Sequence, residues 1–567
     1  MSGRALRRIA LALCLLGLLA LPTPWATGVA LTLAGAAGAL RVLRPLARRL
    51  GARRPPVEPG AVRLGRDAAG RVVALSDVQL GAHALVVGAS GAGKSTTLQT
   101  ILADRIARGH PVVAIDMKGS PSFAAALAAA AHDAGRPLRV WTPEGPSHWN
   151  PLAHGGPTAL KDRLIATERF SEPHYQRAAE RFLQTALQLL GAVHPGAPPT
   201  LQEVVAALDP AALRALVRRL PGRLATRADG YLEGLTADQL SAARGLATRL
   251  AVLSESDAGP WLAPPQPGSG APTIDLGAAL GGSPGDARDE SSGAAPVGPP
   301  GVDSNPVVLL SINSSIYGAL GAQLGALAVQ DLTSAAGRRP GEAASPARRG
   351  PGLADSSLPA SASARRPSAT IALDEFSALG ADNVLALLAR GREAGVGVLL
   401  ATQELADLER AGRGFRDQVL GITAVTLAHR QEVHESALAI SRMAGTRLVW
   451  RETLPNPAPL RSLVGARGPL HSGTRRQHEE PVVHPNAIKR LRTGQLVLLT
   501  GVPRPLAARV QVEPPVTGGV RGSTAGVADG AAAVRVGAGP HGRAAGLVRR
   551  IRSAARGRDQ AAPGVTR

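Results

Sequence analysis

A glycine-rich stretch between a short apolar run and a helical pattern constrains the fold of this chain most strongly. It reads GASGAGKS from Gly88 to Ser95, after the apolar residues 84–87 and before a helical pattern. A strand, a glycine turn and a helix N-terminus direct successive backbone N–H groups at one anion. The order predicts a phosphate-binding loop, whereas a turn that binds nothing would not need this context. The predicted nucleotide-binding residues are Gly88, Ala89, Ser90, Gly91, Ala92, Gly93, Lys94, Ser95 and Thr96.

Two side chains of this loop have predicted chemical roles. We expect the Lys94 ammonium to reach the β- and γ-phosphates of ATP, and the Ser95 hydroxyl to bind Mg²⁺. The chain contains 64 Lys and Arg residues, of which only four are lysines. A lysine at position 94 therefore indicates that a compact ammonium is needed there rather than a planar guanidinium.

The charge balance indicates polyanionic partners, either nucleic acid or an anionic membrane face. The formal net charge is +22 and aromatic residues make up 2% of the chain. This small number of aromatic residues cannot provide long platforms for base stacking. Contact with DNA would therefore depend on its phosphates. The single cysteine, Cys14, excludes a disulfide within the chain and is compatible with a reducing compartment.

Residues 1–57 alternate basic and apolar blocks and contain no acidic residue. The apolar blocks 9–21 and 26–40 flank a Pro/Trp turn, and with that turn each approaches the lower limit of about 17 residues for a spanning helix. Arginines on both outer flanks predict a membrane hairpin with both ends in the cytoplasm, which places the ATPase domain at the inner (plasma) membrane. A cleaved signal peptide is the alternative, and the second apolar block with its basic flank disfavours it.

Apolar strands and helical patterns alternate through residues 58–159, 306–336 and 369–515, which we assign to one nucleotide-binding domain. The main predicted strands are 84–87, 112–116, 138–141, 307–311, 369–373, 396–402, 422–427 and, as the last, 495–500. This alternation predicts an α/β fold with a mostly parallel central sheet and helices on both faces.

Other segments interrupt or follow this domain. Residues 160–262 show helical patterns only, which predicts an inserted all-α domain. Residues 263–305 and 337–368 have low-complexity compositions, which predict a disordered linker and a disordered surface loop. Residues 516–567 are rich in Gly, Ala and Arg and are predicted to form a disordered basic tail.

An acidic pair, Asp374 and Glu375, follows one of the apolar strands. After an upstream phosphate loop, this position is where nucleotide hydrolysis needs two carboxylates. We expect Asp374 to hold Mg²⁺ through its water shell and Glu375 to orient and polarise the attacking water. A solvated strand end is the alternative for such a pair when it stands alone.

Several polar residues near the strand ends have open roles. Gln403 follows the next strand and can contact the γ-phosphate or the water, although a plain strand-terminal residue is the alternative. Arg392 lies near a helix end, where it can reach a neighbouring subunit's nucleotide as an arginine finger. Arg390 is the alternative finger, and compensation of the helix dipole is the alternative role. For Asp116 and Lys118, subunit contact, phosphate sensing and an ordinary surface loop all remain open.

The histidines His429, His434 and His478 lack the spacing of a metal site, since His434-Glu435 has no second histidine four residues on and no cysteine accompanies them.

Taken together, these motifs resemble the conjugative coupling proteins of type IV secretion, the TraG/TraD-like branch of the FtsK/HerA superfamily of RecA-like motor ATPases. The resemblance spans roughly residues 70–262 and 306–503. The matching segments are the double apolar N-terminus, GASGAGKSTT, IDMKG at 115, NPL at 150, the helical insertion, LDEFSALG at 373, GREAG at 391, ATQ at 401 and the segment from 473 to 499.

This resemblance implies a RecA-like P-loop domain in a membrane-anchored homohexamer that hydrolyses ATP with Mg²⁺ at subunit interfaces and moves DNA. Relaxase and secretion-channel components are the implied partners. By the same match, Gly88–Thr96 bind the nucleotide, Asp374 and Glu375 form the second nucleotide motif, and Arg392 occupies the finger position. One alternative is an FtsK-type double-stranded DNA translocase, which would be expected to add a C-terminal winged helix. Another is a membrane recruitment platform that binds ATP and moves protein substrates or nothing.

Overall fold

Strands and helices alternate along most of the described chain. The computed structural model describes residues 60–168, 170, 172–281, 306–339, 368–453, 474–501 and 506–515. The strands in these ranges are β1 (Val62–Asp67), β2 (Val72–Leu75), β3 (Ala84–Val87), β4 (Val112–Asp116), β5 (Leu138–Trp141), β6 (His148–Trp149), β7 (Thr273–Ile274), β8 (Val307–Ser311), β9 (Ala369–Asp374), β10 (Val396–Thr402), β11 (Val425–Ala428), β12 (Thr446–Thr453), β13 (Thr474–Pro481), β14 (Gln495–Thr500) and β15 (Leu506–Val512).

Helices connect most of these strands. They are α1 (Asp77–Gly81), α2 (Lys94–Ala107), α3 (Pro121–Asp133), α4 (Pro157–Ile165), α5 (Pro173–Val193), α6 (Leu201–Ala207), α7 (Pro210–Val217), α8 (Arg223–Glu233), α9 (Ala237–Ser254), α10 (Leu276–Ala279), α11 (Ser314–Arg338), α12 (Ala381–Glu393), α13 (Leu405–Ala411), α14 (Phe415–Ile422), α15 (His434–Met443) and α16 (Pro485–Lys489). Short 3₁₀ turns follow α9 at Gly259–Leu262 and β9 at Phe376–Leu379.

Eleven of the strands form one mixed sheet in the order β2-β1-β15-β14-β11-β3-β10-β9-β4-β8-β5. From β11 to β5 all neighbours are parallel, whereas β14, β15, β1 and β2 extend the sheet with antiparallel pairs. The prediction of an α/β fold with a mostly parallel central sheet is confirmed. Because parallel neighbours share a direction, the carboxyl ends of β3, β10, β9 and β4 meet at one edge of the sheet.

The parallel strands are buried on both faces. In β3, Ala84 and Val86 face one apolar layer, whereas Leu85 and Val87 face the other. Helices α2 and α3 contribute to the first layer, and α11 and α12 contribute to the second. Burial on both faces explains why these strands are continuous apolar runs rather than alternating patterns.

The antiparallel end of the sheet differs from the sequence prediction. The predicted strand at 422–427 is wrong at its start, because α14 continues through Ile422 and β11 begins at Val425. The strand at 495–500 is present, but it is not the last one. Strand β15 follows it and pairs with both β14 and β1. Only Val510 and Val512 of β15 are buried, so its apolar pattern is too short to stand out in the sequence.

Helices α4 to α9 occupy the segment for which the sequence predicts an all-helical insertion. A buried ion pair joins this segment to α11, with Arg163 Nη1 3.2 Å from Asp331 Oδ1. The other oxygen of Asp331 accepts a hydrogen bond of 3.0 Å from the Trp149 indole. A buried carboxylate needs such partners to offset its desolvation, so this cluster fixes the start of the insertion against the sheet domain.

The prediction of a linker at residues 263–305 is wrong for its first part. Within it, β7 pairs with β6 and α10 follows directly. Ile274, Leu276 and Leu280 are buried in the same apolar layer as α11. A few apolar side chains therefore fold a segment that its Gly and Pro content marks as a linker. Helix α11 also continues through Arg338, past the predicted start of the loop at 337.

Strands β12 and β13 form a separate two-stranded antiparallel ribbon. It lies between α15 and α16 along the chain, and most of its described side chains are exposed on both faces. Leu448 and Trp450 are 66% and 54% exposed, and the Arg475 guanidinium lies 5.0 Å from the Trp450 ring centre. Isolated ribbons of this kind bury little apolar surface of their own.

Within the described ranges, the structure contains no helix with the length and apolarity needed to cross a membrane. The predicted membrane hairpin at residues 1–57 and the predicted tail at 516–567 lie outside the described residues, as do residues 282–305 and 340–367 of the two low-complexity segments.

Candidate nucleotide site

The glycine-rich loop lies at the carboxyl edge of the sheet, between β3 and α2. Strand β3 is flanked by β10 on one side and β11 on the other, so the loop emerges near the middle of the sheet. Gly91 and Gly93 have positive φ angles of 70° and 112°, and Gly93 is the N-cap of α2. Residues that carry a side chain rarely adopt positive φ angles, so glycine is favoured where the chain turns into the helix.

Distant segments of the chain enclose the loop closely. A Cβ at Gly88 would lie 2.5 Å from the Cβ of His429, and one at Gly93 would lie 2.9 Å from the backbone nitrogen of Gly494. Two backbone hydrogen bonds of 2.9 Å fix the loop in place. The Ala89 N–H donates to the Arg430 carbonyl, and the Gly494 N–H donates to the Ala92 carbonyl. The residues that directly follow β11 and those that directly precede β14 therefore hold the loop in place.

The buried imidazole of His429 links these segments to α2. Its Nδ1 lies 3.0 Å from the Gln495 carbonyl oxygen and its Nε2 lies 2.9 Å from the Thr97 hydroxyl. A carbonyl only accepts, so Nδ1 carries the proton and Nε2 accepts from Thr97. Burial lowers the pKa of His429 to about 4, which keeps the ring neutral at neutral pH. This histidine therefore stabilises the loop through its hydrogen bonds and does not act as a metal ligand.

The side chain of Lys94 folds back over its own loop. Its ammonium donates hydrogen bonds to the carbonyl oxygens of Gly88, at 2.5 Å, and Ala89, at 3.2 Å. Burial, together with the charge of Lys118, lowers the pKa of Lys94 below its ordinary value. Two cations in one partly desolvated site repel each other, which favours the arrival of an anion.

Asp374 and Glu375 lie two strands away from the loop at the same edge. The β-ladder aligns Asp374 with Ala401 of β10, and Thr402 of β10 with Val87 of β3. Asp374 is 2% exposed, and its Oδ1 has no hydrogen-bond partner. Burial raises the pKa of Asp374, although the Lys118 charge opposes that shift.

Glu375 stands at the turn that follows β9 and is held by two side chains. Its backbone is left-handed, with φ of 61°, a conformation that is strained for a residue other than glycine. The Gln403 amide donates to Glu375 Oε2 at 3.1 Å, and Lys118 Nζ lies 3.0 Å from the same oxygen. Lys118 Nζ also lies 3.6 Å from Asp374 Oδ1. The structure thus brings Gln403, Glu375, Asp374 and Lys118 together.

Asp116 is fully buried and serves the backbone of its own turn. Its two carboxylate oxygens accept hydrogen bonds from the N–H groups of Lys118 and Ser120, at 2.9 and 2.6 Å. Its raised pKa results from burial, which those two donors oppose. Of the two residues whose roles the sequence left open, Asp116 therefore shapes the turn and Lys118 faces the acidic pair.

Arg392 and Arg390 lie near the opposite edge of the sheet from the loop. They are exposed residues at the end of α12, shortly before β10 begins at Val396. Strand β10 must then run its full length to reach the level of the loop, roughly 20 Å at the usual rise per residue. Arg390 pairs with Glu393 at 3.3 Å. Neither arginine can reach a nucleotide on the loop of its own chain.

The donor set at this edge fits a magnesium ion with a nucleotide. In the described residues, four of the five buried side-chain oxygens without a hydrogen-bond partner lie at or just after the ends of β9, β10 and β11, namely Asp374 Oδ1, Thr402 Oγ1, Glu404 Oε2 and Gln431 Oε1. Buried polar atoms without partners are costly, and their clustering indicates a ligand or metal that completes them. Carboxylate and hydroxyl oxygens are the donors that Mg²⁺ prefers. Asp374 and Ser95, one from each side of the site, meet this requirement.

Comparison with known families adds a sequence match on each side of this site. A model described as FtsK/SpoIIIE family matches residues 47–124, which include the glycine-rich loop. A model described as TraM recognition site of TraD and TraG matches residues 368–493, which include the acidic pair and the ribbon. On both sides of the site, the chain is thus similar to TraG/TraD-like proteins of the FtsK superfamily. No curated protein matches its sequence.

Solved structures agree with this TraG/TraD-like assignment at the level of the fold. The unbound monoclinic form of the bacterial conjugative coupling protein TrwBdeltaN70 has a TM-score of 0.51 and 15% identity, covering 82% of this chain and 90% of that chain. Its trigonal form in complex with sulphate has a TM-score of 0.50 and 14% identity, covering 80% of this chain and 89% of that chain. At such identities the likeness concerns the fold alone.

Sequence reasoning about this TraG/TraD-like chain missed the residues that enclose the loop. His429 and Gly494 are separated from it by hundreds of residues, and no local pattern signals that they approach Gly88 and Gly93. Lys118 carried one usable signal, because lysine is scarce in this chain and Lys118 follows a strand of the same sheet. The remaining predicted residues, from Gly88 to Thr96 with Asp374, Glu375 and Gln403, lie at one edge, and Arg392 does not.

Proposed function

We propose that this TraG/TraD-like chain is a membrane-anchored ATPase that hydrolyses ATP with Mg²⁺ to move DNA in conjugative transfer through a type IV-like secretion system. The proposal rests on the common edge of β3, β10 and β9, where the glycine-rich loop and the Asp374–Glu375 pair face one site. Hydrolysis of a triphosphate needs phosphate-binding amides, a cation site and a water-orienting carboxylate together. This edge offers all three groups.

The residues divide the binding of the nucleotide between them. The loop amides and Lys94 would hold the phosphates, and on binding Lys94 would exchange the carbonyls of Gly88 and Ala89 for phosphate oxygens. Ser95 and Asp374 would hold the metal. Mg²⁺, when bound, supplies the charge that neutralises the phosphate oxygens during transfer.

Glu375 is suited to orient the attacking water. Its Oε2 is already engaged by Gln403 and Lys118, which fixes the carboxylate and leaves Oε1 to accept a proton from water. Gln403 links this carboxylate to the end of β10, so that amide would sense whether the site holds a triphosphate. A general base must lie within reach of the water before its basicity matters. Here Gln403 and Lys118 hold the Glu375 carboxylate in position.

DNA as the moved substrate is supported by charge and by likeness. The net charge of +22 suits a polyanion that is contacted mainly through its phosphates. The solved protein with the same fold is named a conjugative coupling protein.

Membrane anchoring, assembly and partners belong to the same proposal. The basic and apolar blocks of residues 1–57 would anchor the chain at the inner membrane with its ATPase domain cytoplasmic. Arg392 lies near the far edge of its own sheet, so as a finger it would complete the site of a neighbouring subunit in a proposed homohexameric ring. Relaxase and secretion-channel components are proposed partners. The exposed ribbon at β12–β13, inside the segment matched to a TraM recognition site, offers them a protein-binding surface.

An FtsK-type double-stranded DNA translocase is the second candidate. The match of residues 47–124 to the FtsK/SpoIIIE family favours it. Both candidates are motors with the same ATP chemistry, so they differ in the strand they use and in their partners.

The ATPase rate of the full-length protein with single-stranded, double-stranded or no DNA, at two salt concentrations, tests the proposal. A transfer motor predicts stimulation by DNA that weakens as salt rises, because phosphate contacts release counterions. Stimulation by duplex DNA alone would favour the FtsK-type candidate. A rate that ignores DNA would contradict both motors and favour a recruitment platform.

A further inference from the structure

Lys118 places a positive charge between the two carboxylates of the proposed ATP site. Its Nζ lies 3.0 Å from Glu375 Oε2 and 3.6 Å from Asp374 Oδ1. Asp374 Oδ1 is the same buried atom that lacks a hydrogen-bond partner. The Lys118 side chain is 34% exposed, whereas those of Asp374 and Glu375 are 2% and 17% exposed, so the ammonium is the more solvent-accessible partner of the acidic pair.

The backbone under Lys118 is fixed, so only its side chain can move. The Lys118 N–H donates to Asp116, and the Asp116 carbonyl accepts from the Ile312 N–H at 2.8 Å. The neighbouring Met117 N–H donates to the Asp374 carbonyl at 3.3 Å. A four-carbon side chain on a rigid base can swing its charge over several ångströms without disturbing the sheet.

The charges around this ammonium favour its present position when no metal is bound. Both carboxylates attract the Lys118 ammonium, which lies within 3.6 Å of an oxygen of each. Lys94 is the other cation that acts on the acidic pair, and its hydrogen bonds go to the loop carbonyls instead. Lys118 is therefore the cation in direct contact with both carboxylates in the part of the chain that the structure describes.

We infer that Lys118 is a positioning residue whose ammonium holds the place of the metal charge beside Asp374, and that Mg²⁺ must displace it to bind. This inference rests on the proposed ATPase site. Before the metal arrives, the ammonium offsets part of the negative charge of the two acids, so that the pair repels the phosphates less. Once the metal is bound, the ammonium and the divalent ion repel each other, so the two cannot share Asp374 Oδ1. The freed ammonium keeps its contact with Glu375.

Removal of this ammonium should weaken nucleotide binding in the absence of metal and should ease the binding of Mg²⁺. Without Lys118, the unneutralised acids repel a nucleotide that carries no metal, so metal-free binding weakens. Without a competing cation, Mg²⁺ reaches Asp374 more easily, so less Mg²⁺ is needed for half-maximal binding. A residue that only stabilised the fold would weaken both kinds of binding together.

The test measures binding of a fluorescent non-hydrolysable ATP analogue to the full-length protein at pH 8, with EDTA and across a Mg²⁺ titration. Lys118→Met removes the charge, and Lys118→Arg keeps it. Lys161→Met is the matched control, because Lys161 pairs with Asp162 at 2.6 Å in the helical insertion. Thermal unfolding of each variant shows that it is folded.

In Lys118→Met we expect metal-free affinity to fall, and the half-maximal Mg²⁺ concentration also to fall, each by about threefold to tenfold, as a partly exposed ion pair allows. Lys118→Arg should keep the metal-free affinity near that of the wild type, and Lys161→Met should change neither quantity. An unchanged or increased Mg²⁺ requirement in Lys118→Met would overturn the inference. Failure of the wild-type protein to bind the analogue at any Mg²⁺ concentration would instead contradict the proposed function.

Discussion

His429 Nε2 accepts a hydrogen bond from the Thr97 hydroxyl at 2.9 Å across 332 residues of sequence. The other ring nitrogen donates to the Gln495 carbonyl. One neutral ring thus joins the first turns of α2 to β14, and its Cβ fills the space that Gly88 leaves open. The phosphate loop is therefore shaped by the far end of the sheet domain as well as by its own glycines.

We expect His429→Ala to weaken both the fold and nucleotide binding. It removes two buried hydrogen bonds and leaves a cavity beside Gly88, which together cost about 2–4 kcal/mol of unfolding free energy. Release of the loop should lower affinity for an ATP analogue about tenfold. The measurements are thermal unfolding and analogue binding by fluorescence. His132→Ala, at a side chain that is 91% exposed, is the control and should change neither. If folded His429→Ala bound the ATP analogue with unchanged affinity, the loop would not need the hydrogen bonds of His429.

The pH dependence of stability should reflect three histidines that are buried in neutral form. Burial lowers the pKa values of His83, His110 and His429 to about 4, from 6.5 in an unfolded chain. Because the unfolded state binds protons more readily, their stabilisation is complete above pH 6.5 and is lost as the pH falls toward 4. For fully buried His83 the loss is at most about 3 kcal/mol. The melting temperature measured between pH 8 and pH 4 should fall accordingly.

A substitution at His83 separates this effect from that of other groups. His83 Nε2 contacts the Leu388 carbonyl oxygen at 2.9 Å, and Nδ1 accepts from the Val398 N–H at 3.1 Å. His83→Gln should be less stable at pH 8, and its stability should depend less steeply on pH between 6.5 and 4. If the variant and the wild type lose stability in parallel over that range, His83 is not a source of the dependence.

The parts of this site that the sequence predicts are those coded by local order. A run of apolar residues, then Gly88 to Thr96, then a helical pattern is sufficient to place the loop, and a second apolar strand places Asp374 at the same edge of a parallel sheet. The position of Lys118 at that edge follows from β4, but its contact with both acids depends on how the turn at Asp116 directs the side chain. No sequence pattern encodes that direction.

The wrong predictions concern segments whose composition does not indicate that they pack against the sheet domain. Residues 271–281 lie in a longer segment, 263–305, that looks like a linker because it is rich in Gly and Pro, yet burial of Ile274 and Leu276 is enough to order them. The strand β15 carries only two buried valines and is stabilised by its ladder with β14 and β1. Pairing between distant strands, rather than local propensity, decides such cases.

Gly88→Ala tests whether the loop tolerates a side chain at its first position. The added Cβ would lie 2.5 Å from the His429 Cβ, so either the loop or β11 must move. We expect a loss of about 1–3 kcal/mol in unfolding free energy and a loss of analogue binding of at least tenfold. The control is Gly191→Ala in α5, where a Cβ meets nothing within 4 Å, and it should stabilise the helix slightly. Normal nucleotide affinity in Gly88→Ala would mean that the loop relaxes without cost.

Lys94→Ala should abolish hydrolysis while leaving the fold intact. The ammonium contacts only loop carbonyls, so its removal frees Gly88 and Ala89 without opening the apolar layers. Without it, the transferring phosphoryl group lacks its nearest cation, and the phosphate-release rate should fall at least a hundredfold. The matched control is Lys489→Ala, since Lys489 is exposed at the end of α16. Residual activity in Lys94→Ala close to the wild-type rate would exclude the loop as the hydrolytic site.

Arg392 provides the sharpest test of assembly, because it lies about a strand length away from the loop of its own chain. Arg392→Ala should abolish hydrolysis only if the arginine completes a neighbour's site, whereas Arg390→Ala, which removes only an exposed pair with Glu393, should be mild. We expect Glu375→Gln to be inactive for the other reason, since it keeps the arginine and loses the proposed water-orienting carboxylate. In mixed rings, Arg392 of a Glu375→Gln subunit can serve the intact site of an Arg392→Ala subunit. Phosphate release should therefore recover when the two inactive proteins are mixed before assembly. If mixing restores nothing while the wild-type ring is active, Arg392 does not act between subunits and its role is to complement the end of α12.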